Sequence, residues 1–312
     1  METISLIVPC YNEQESINLF YDTVEKVFKE MNKDGKKFIP DYLFINDGSS
    51  DNTGKILKEL HNQHPETVHF ISFSRNFGKE SAMTAGLRNA HGDYVALMDV
   101  DLQDPPELLP KMLKIINTED YYCVGCIQTS RKQNPIRAFL SSSFYKIIDA
   151  LSDVKIQPNV RDYRLMSRRY VDAVNELTEY NRFSKGIFSW VGFKTKYIKY
   201  PGQPRAAGNS HWSIFQLFEY SIEGIIDFSD APLRIATFIG GCSCFLAIIG
   251  ILVVIVRAIF FGESVAGWPS LVSIILLIGG IQLFCLGIVG KYIGKIYLET
   301  KHRPQYIIEE QE

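Results

Sequence analysis

The stretch Tyr94-Val95-Ala96-Leu97-Met98, followed by Asp99-Val100-Asp101-Leu102-Gln103-Asp104-Pro105-Pro106-Glu107, decides the fold of this chain. Its first five residues form an unbroken apolar run, which is typical of a strand buried on both faces of a parallel sheet. The two prolines end the strand, and a helix is predicted from Glu107 onward because proline is common in the first turn of a helix. Asp99 and Asp101 are therefore expected at the carboxyl end of a central strand, where open α/β sheets bind their ligands.

The same carboxylates predict a metal site. Because side chains alternate along a strand, Asp99 and Asp101 are expected to point the same way, with Gln103 next on that side. Hard oxygen ligands grouped in this way suit Mg²⁺ or Mn²⁺, and such an ion can also hold a diphosphate. A solvated acidic turn is the alternative, which the short motif alone does not exclude.

Upstream of this stretch, apolar strand-like runs alternate with amphipathic helical stretches, which predicts an α/β domain with a mostly parallel sheet. Strands are predicted over residues 4–8, 42–46, 68–72 and 94–98, with a further candidate over 121–127. The first three strands end in loops rich in polar residues. Since the carboxyl ends of parallel strands share one edge of the sheet, these loops are expected to converge with Asp99 and Asp101 on one crevice.

Composition excludes several other classes of protein. The chain has 312 residues and a formal charge of −2, which argues against a nucleic-acid binder with a broad basic surface. Its size allows one sizeable α/β domain and a smaller addition. The six cysteines form no disulfide framework, and Cys123-x-x-Cys126 has no second ligand pair. Buried strand cysteines in a reducing compartment are therefore preferred to redox or zinc chemistry.

Two segments near the C terminus are predicted to span a membrane. Residues 235–256 and 268–290 contain no charged residue, and each is long enough to cross a bilayer as a helix. Positive residues cluster outside this predicted hairpin: Arg234, Lys291, Lys295, Lys301 and Arg303. The positive-inside rule then predicts a plasma-membrane protein with both termini in the cytoplasm.

Four motifs, in this order, resemble those of the inverting nucleotide-sugar glycosyltransferases of the A-type fold. They are Val8-Pro9-Cys10-Tyr11-Asn12-Glu13, Asn46-Asp47-Gly48-Ser49-Ser50-Asp51, Arg75-Asn76-Phe77-Gly78-Lys79 and the acidic stretch 99–107. More narrowly, the set is similar to the polyprenyl-phosphate glycosyltransferases, which include dolichol-phosphate mannose synthase and the bacterial undecaprenyl-phosphate glucosyltransferases. The resemblance covers residues 1 to about 212 and implies a Rossmann-like, mostly parallel sheet. The C-terminal hairpin is similar to the bacterial branch.

This resemblance implies a nucleotide-sugar site. Its expected members are Pro9, Tyr11, Glu13, Asp47, Arg75, Lys79, Asp99 and Arg205. Asp47 would hydrogen-bond the uracil edge, and Asp99, Asp101 and Gln103 would surround the metal. A metal between the two phosphates neutralises charge as the nucleoside diphosphate leaves.

The resemblance also implies a site for the acceptor phosphate, formed by Arg131, Arg137, Ser141 and His211. Arginine and hydroxyl groups are the donors that a phosphate needs, and a solvated basic edge is the alternative. Residues 202–212 resemble the family's flexible loop, which closes on the diphosphate and acceptor. Relatives usually carry Lys or Arg where His211 stands, so its role stays open.

The segment Val160-Arg161-Asp162-Tyr163-Arg164-Leu165 resembles the one that supplies the family's catalytic carboxylate, here Asp162, which would act with Asp101. A phosphate monoester has a second pKa of about 6 and is largely ionised at neutral pH. Asp162 can therefore orient the acceptor or complete the metal and sugar environment instead of acting as a general base. An ion pair with Arg161 or Arg164 is the structural alternative.

Six segments are predicted along the chain. A cytoplasmic catalytic domain covers residues 1–211, and an amphipathic membrane-interface helix covers 212–232. Two membrane helices, over 233–261 and 268–293, are joined by an external loop over 262–267. Residues 294–312 are predicted as a cytoplasmic tail.

Together these inferences predict transfer of a hexose, glucose or N-acetylglucosamine, from a UDP-sugar to undecaprenyl phosphate. The lipid-linked product would serve glycosylation of a cell-envelope polymer. Expected partners are the UDP-sugar, the polyprenyl phosphate, the bilayer, further copies of the chain, a flippase and a polymer glycosyltransferase. The alternatives are a glycolipid synthase with another acceptor, an Asp-x-Asp phosphatase and a non-catalytic, membrane-tethered nucleotide-sugar binding protein. The phosphatase would need Thr or Val after the aspartate pair, where this chain has Leu102.

Overall fold

The computed structural model describes residues 1–34, 37–129, 157, 160–201, 229–261 and 267–312. The strands in these residues are β1 Glu2–Cys10, β2 Phe38–Asn46, β3 Val68–Phe73, β4 Tyr94–Leu97, β5 Cys123–Gln128, β6 Val160–Ser167, β7 Thr195–Tyr200 and β8 Ile308–Gln311. The helices are α1 Ile17–Met31, α2 Thr53–Gln63, α3 Lys79–Asn89, α4 Leu109–Thr118, α5 Arg168–Asn175, α6 Ser184–Trp190, α7 Ala231–Phe261 and α8 Trp268–Thr300. Short 3₁₀ turns occur at Asn32–Asp34 and Pro106–Leu108.

The strands form one sheet in the order β7-β5-β6-β4-β1-β2-β3-β8. β1 pairs in parallel with β2 and β4, and β2 pairs in parallel with β3. This confirms the parallel arrangement predicted for the first part of the chain. The other half is mixed, because β6 runs antiparallel to both β4 and β5 whereas β7 is parallel to β5. The strand order reverses between β1 and β4, and such a switch point opens a crevice at the carboxyl ends of the strands.

Helices cover both faces of the sheet. Alternation along β1 sends Leu6 to one face, where it joins the buried cluster that contains Phe20 of α1. Ile7 points to the other face and shares a cluster with Met83 of α3. The approach of α3 is close enough that a Cβ on Gly86 would lie 2.1 Å from Ile7 Cγ2. Helices therefore pack against both faces of the sheet around β1, below the loops at its edge.

The two C-terminal apolar helices confirm the predicted hairpin in length and composition. Of the described helices, those covering Ala231–Val256 and Leu271–Thr300 are long and apolar enough to cross a membrane. Their apolar side chains face outward, as at Phe238 and Leu276. The Tyr292 hydroxyl donates to the Ser229 carbonyl oxygen at 2.7 Å, which joins the end of α8 to the start of α7. The interface helix predicted over 212–232 lies outside the described residues, except for its last four positions.

The polar tail has more structure than its composition indicates. Helix α8 continues to Thr300, beyond the predicted boundary at residue 293. The chain then forms β8, which pairs antiparallel with β3 at the edge of the sheet. The C-terminal segment is thus part of the same sheet as β1 to β7, which was not predicted.

Candidate active site

The first two strand-end loops are bound directly to each other. Asn12 has a positive φ of 55°, and its backbone N–H donates to Ser49 Oγ at 3.0 Å. Its side-chain Oδ1 accepts the Ser50 N–H at 2.9 Å, and the Glu13 N–H donates to Thr53 Oγ1 at 2.9 Å. The loops after β1 and β2 therefore form one unit, as the shared sheet edge predicted.

Asp47 joins this unit to the third loop. Its Oδ1 accepts the Phe77 N–H at 2.6 Å, and its Oδ2 accepts the Gly78 N–H at 2.9 Å. Burial raises the pKa of this carboxyl, and the two backbone donors oppose that rise. Gly48 has a φ of 63°, and a Cβ there would lie 2.2 Å from the Arg75 carbonyl carbon. Asp47 thus holds the loop that carries Arg75, and its predicted contact with uracil stays a prediction.

Lys79 is the central cation of the crevice. From the first residue of α3, its Nζ lies 2.6 Å from Asp99 Oδ1 and 2.6 Å from Asp162 Oδ2. Burial acts to lower the pKa of Lys79, but attraction by Asp162 and Asp99 outweighs it and raises that pKa. We call these three residues the outer cluster. It joins the ends of β4 and β6, which are antiparallel neighbours, to the third loop.

Asp162 is held in its charged form. Burial alone would raise the pKa of this carboxyl, but Lys79 first and then Lys185 hold it well below its usual range. An efficient general base needs a pKa near the working pH, so this carboxylate is a weak base. Its ion partner is Lys79, whereas the alternative weighed from the sequence was Arg161 or Arg164. Arg164 Nε donates to the Asp162 backbone carbonyl at 3.1 Å, and its charge also helps to lower the pKa of the Asp162 carboxyl.

The acidic stretch forms a turn, so the alternation argument for its side chains is wrong. β4 ends at Leu97, and Leu102 has a positive φ of 53°. Asp101 is buried, and its Oδ1 accepts the Gln103 N–H at 3.1 Å. The Asp99 side chain is 21% exposed, so one carboxylate faces the crevice while the other lies beneath the surface.

A second group of charges lies behind the turn, and the sequence did not single it out. Arg161 Nε lies 3.0 Å from Asp104 Oδ1, and the Tyr200 hydroxyl also donates to that carboxylate. Arg161 Nη2 reaches Gln103 Oε1 at 3.3 Å. Burial raises the pKa of Asp104, and Arg161 opposes that rise. We call Asp104, Arg161 and Tyr200 the inner cluster. The sequence signal for this cluster was the position of Asp104 within the acidic stretch 99–107.

The donor set fits a hard divalent cation. Within the described residues, no group of three or more His, Cys, Asp or Glu side chains forms a metal cage. Magnesium-type sites in proteins use one or two carboxylates and complete their shell with water and substrate phosphates. Asp99, at the crevice, and Asp101, beneath it, supply such carboxylates, and Gln103 follows on the same turn.

The remaining nucleotide-site residues differ in their surroundings. Tyr11 is 48% exposed, and its ring is accessible for stacking on a base. The Arg75 guanidinium lies 3.9 Å from the centre of the Phe77 ring. Pro9 is part of β1, and Glu13 accepts a hydrogen bond from Ser16 Oγ at 3.0 Å. The structure thus brings the described members of this predicted site to one edge of the sheet.

Five predicted site residues lie outside the described part of the chain: Arg131, Arg137, Ser141, Arg205 and His211. Their assignments to the acceptor phosphate and to the loop over the diphosphate stay predictions.

Sheet order, converging polar loops and the acidic turn together define a glycosyltransferase of the A-type fold. A solved structure supports the fold: glucosyl-3-phosphoglycerate synthase from Mycobacterium tuberculosis, in complex with Mn²⁺, uridine diphosphate and phosphoglyceric acid. It aligns with a TM-score of 0.52 at 18% identity, over 72% of this chain and 76% of its own.

Residues 5–174 match the family described as Glycosyl transferase family 2, and the chain belongs to this family. It is 42% identical over 308 residues to the bactoprenol glucosyl transferase of Shigella phage SfV, covering 98% of this chain and 97% of the relative. It is also 42% identical over 305 residues to the prophage bactoprenol glucosyl transferase homolog of Escherichia coli strain K12, covering 98% of each. Family and fold confirm the resemblance found in the motifs.

Proposed function

We propose that this protein is a membrane-bound enzyme that transfers glucose from UDP-glucose to a polyprenyl phosphate, with inversion at the anomeric carbon. The observation that carries the proposal is the outer cluster, which gathers a lysine and two carboxylates where the nucleotide loops meet. Relatives named as bactoprenol glucosyl transferases, 42% identical over nearly the full chain, support glucose as the sugar and a polyprenol-based acceptor. N-acetylglucosamine is the competing sugar.

The donor would lie across the three strand-end loops. Tyr11 offers an exposed ring to the base. Glu13 and Asp47 belong to the same group of connected loops and would lie beside the nucleotide. Arg75 and Lys79 supply positive charge next to the diphosphate. When bound, Mg²⁺ or Mn²⁺ would be held by Asp99, Asp101 and Gln103 and would neutralise charge on the departing uridine diphosphate. The structural neighbour was solved with Mn²⁺ and uridine diphosphate, which supports a divalent cation and a uridine diphosphate donor.

The reaction needs no strong base. A phosphate oxygen of the acceptor, largely ionised at neutral pH, attacks the anomeric carbon as the bond from that carbon to uridine diphosphate breaks. Asp162, charged through its contact with Lys79, orients the acceptor and the sugar in this step. Asp162 is therefore assigned a positioning and electrostatic role instead of proton removal.

Membrane attachment would bring the site to its lipid acceptor. Helices α7 and α8 would cross the bilayer with both chain ends in the cytoplasm, as the distribution of Lys and Arg predicts. The lipid-linked sugar would then pass to a flippase and a polymer glycosyltransferase, and several copies of the chain would assemble in the membrane.

Transfer assays on the full-length enzyme in lipid nanodiscs test this proposal. Labelled UDP-glucose or UDP-N-acetylglucosamine is supplied with undecaprenyl phosphate and Mg²⁺ or Mn²⁺, or with a chelator. We expect lipid-linked label from UDP-glucose, its loss with the chelator, and an inverted anomeric centre by NMR. Binding of uridine diphosphate without lipid-linked product from either sugar would instead favour the non-catalytic alternative.

A further inference from the structure

The chain that follows α8 returns to the catalytic domain and contacts both ends of the third loop. Only residues 301–304 separate Thr300, the last residue of α8, from Gln305. The Ser74 N–H donates to the Ile307 carbonyl at 3.1 Å, just before Arg75. Ser81 Oγ donates to the Gln305 carbonyl at 3.1 Å, just after Lys79. The tail thus brackets the loop that carries the two cations assigned to the diphosphate.

Aromatic contacts connect the tail to Arg75 itself. The Tyr306 ring stacks on Phe73, with centroids 4.9 Å apart and an interplanar angle of 14°. Phe73 meets Phe77 edge to face at 5.8 Å. The Arg75 guanidinium in turn lies over the Phe77 ring. A continuous series of ring contacts therefore runs from the C-terminal segment to a predicted nucleotide-binding side chain.

The tail is fixed at its far end as well. Phe70 and Glu312 exchange both of their backbone hydrogen bonds at 3.1 Å. Lys58 Nζ lies 2.7 Å from Glu310 Oε2. Closer to α8, the Tyr180 N–H donates to Glu299 Oε1 at 2.7 Å. The segment is consequently anchored to the sheet, while its start is continuous with the second apolar helix.

We propose that residues 305–312 are a positioning element of the donor site, which holds the Arg75–Lys79 loop ready for the diphosphate of the nucleotide sugar. Asp47 fixes this loop from the side of β2, and the tail fixes it from the side of β3. Ordering the loop before binding lowers the entropy lost when the donor binds. The inference rests on the proposed function, because it takes the donor to be a nucleoside diphosphate sugar.

The test compares point variants of the full-length enzyme in detergent. Tyr306→Ala removes the stacked ring, Tyr306→Phe keeps it, and Glu309→Ala changes an exposed tail residue as the matched control. From the usual strength of an aromatic pair, Tyr306→Ala should raise the Kd of uridine diphosphate and the donor KM about fivefold. For Tyr306→Ala, the kcat at saturating donor and the acceptor KM should stay within about twofold of the values for the unaltered enzyme. For Tyr306→Phe and Glu309→Ala, all of these constants should stay within the same limit.

Calorimetric titration with uridine diphosphate and a melting curve for each variant separate the outcomes. An unchanged Kd and donor KM for Tyr306→Ala would overturn the proposal, as would a lower melting temperature accompanied by a fall in kcat alone. Tyr306→Leu, which keeps apolar volume without the ring, provides the same comparison if the alanine variant fails to fold. If the unaltered enzyme binds uridine diphosphate but transfers no sugar, the proposed function fails while the binding comparison still decides the role of the tail.

Discussion

The outer and inner clusters flank one turn and differ in the solvent exposure of their carboxylates. In the outer cluster, the side chains of Lys79, Asp99 and Asp162 are 39%, 21% and 19% exposed. In the inner cluster, the Asp104 side chain is fully buried, whereas Arg161 is 21% exposed and its Nη2 also lies 4.0 Å from Asp99 Oδ2 of the outer cluster. Charged groups that reach solvent can exchange a protein partner for a substrate, whereas a fully buried carboxylate such as Asp104 cannot lose its partner without a large desolvation cost. This difference supports the proposal that the outer cluster acts on substrate, and it predicts that the inner cluster holds the turn in place.

The largest effect is expected from Asp162→Asn in the outer cluster. Loss of the charge that faces Lys79 should lower the rate of sugar transfer about a thousandfold, the scale of a positioned charged group in an active site. Asp172→Asn, the same chemical change at an exposed residue of α5, is the control and should keep full activity. Initial rates with labelled UDP-glucose measure both. A loss smaller than about tenfold would remove Asp162 from the active site.

Arg161→Met in the inner cluster should mainly affect stability. It leaves Asp104 buried without its cation, which should lower the free energy of unfolding by about 3–5 kcal/mol. Urea titrations followed by circular dichroism measure this change. The double variant with Asp104→Asn should recover part of the loss, because it removes the isolated charge. If the single variant is as stable as the unaltered protein but inactive, the distinction between the clusters is wrong.

Glu80 gives the outer cluster a neighbour that titrates near neutrality. Its carboxylate accepts hydrogen bonds from the Ser184 backbone and hydroxyl, and burial raises the pKa of Glu80 to about 7. The folded protein therefore binds more protons than the unfolded chain between the ordinary glutamate pKa of about 4.3 and pH 7. The contribution of Glu80 to the free energy of unfolding is therefore complete below about pH 4.3 and falls as the pH rises toward 7.

The pH dependence of Glu80→Gln tests this expectation. Melting temperatures from pH 5 to pH 8 should fall more steeply for the unaltered protein than for Glu80→Gln, since the amide does not titrate. Equal slopes for the two proteins would mean that Glu80 does not titrate in this range.

The smallest effect is expected from Tyr200→Phe. This change removes one hydrogen bond to Asp104 while Arg161 remains, so a loss of about 1 kcal/mol in unfolding free energy is expected. Turnover should change little. A large loss of activity at unchanged stability would contradict the structural role assigned to Tyr200.

Strands β1 to β4 could be predicted from the sequence, because each can be recognised from its own residues and the turn that follows it. Each of these strands is an apolar run of ordinary length followed by a polar turn, and the predicted carboxyl ends fall within two residues of those observed. β7 and β8 were not predicted because edge strands carry polar and charged side chains among their apolar ones, as Lys196, Lys199 and Glu310 do here. Such segments are indistinguishable from loops by hydropathy.

The candidate site also has a part that could be predicted from the sequence and a part that could not. The strand-end motifs indicated which loops meet, since a parallel sheet brings its carboxyl ends together. Lys79 and Asp162 are 83 positions apart in the sequence. They meet because β6 pairs antiparallel with β4, and no local sequence pattern predicts that pairing. Asp104 was not predicted as a site residue because a polar turn is expected to be exposed to solvent. It is buried because Arg161 of β6 and Tyr200 of β7 pack against it.

Pairing of β8 with β3 has a consequence for how the protein can be divided. A fragment that ends before α7 would leave the outer backbone donors and acceptors of β3 unpaired, and an uncovered strand of this kind readily joins the sheet of another molecule. Such a fragment should self-associate during purification. Grafting residues 305–312 back through a flexible linker would cover that strand and keep the isolated domain monomeric.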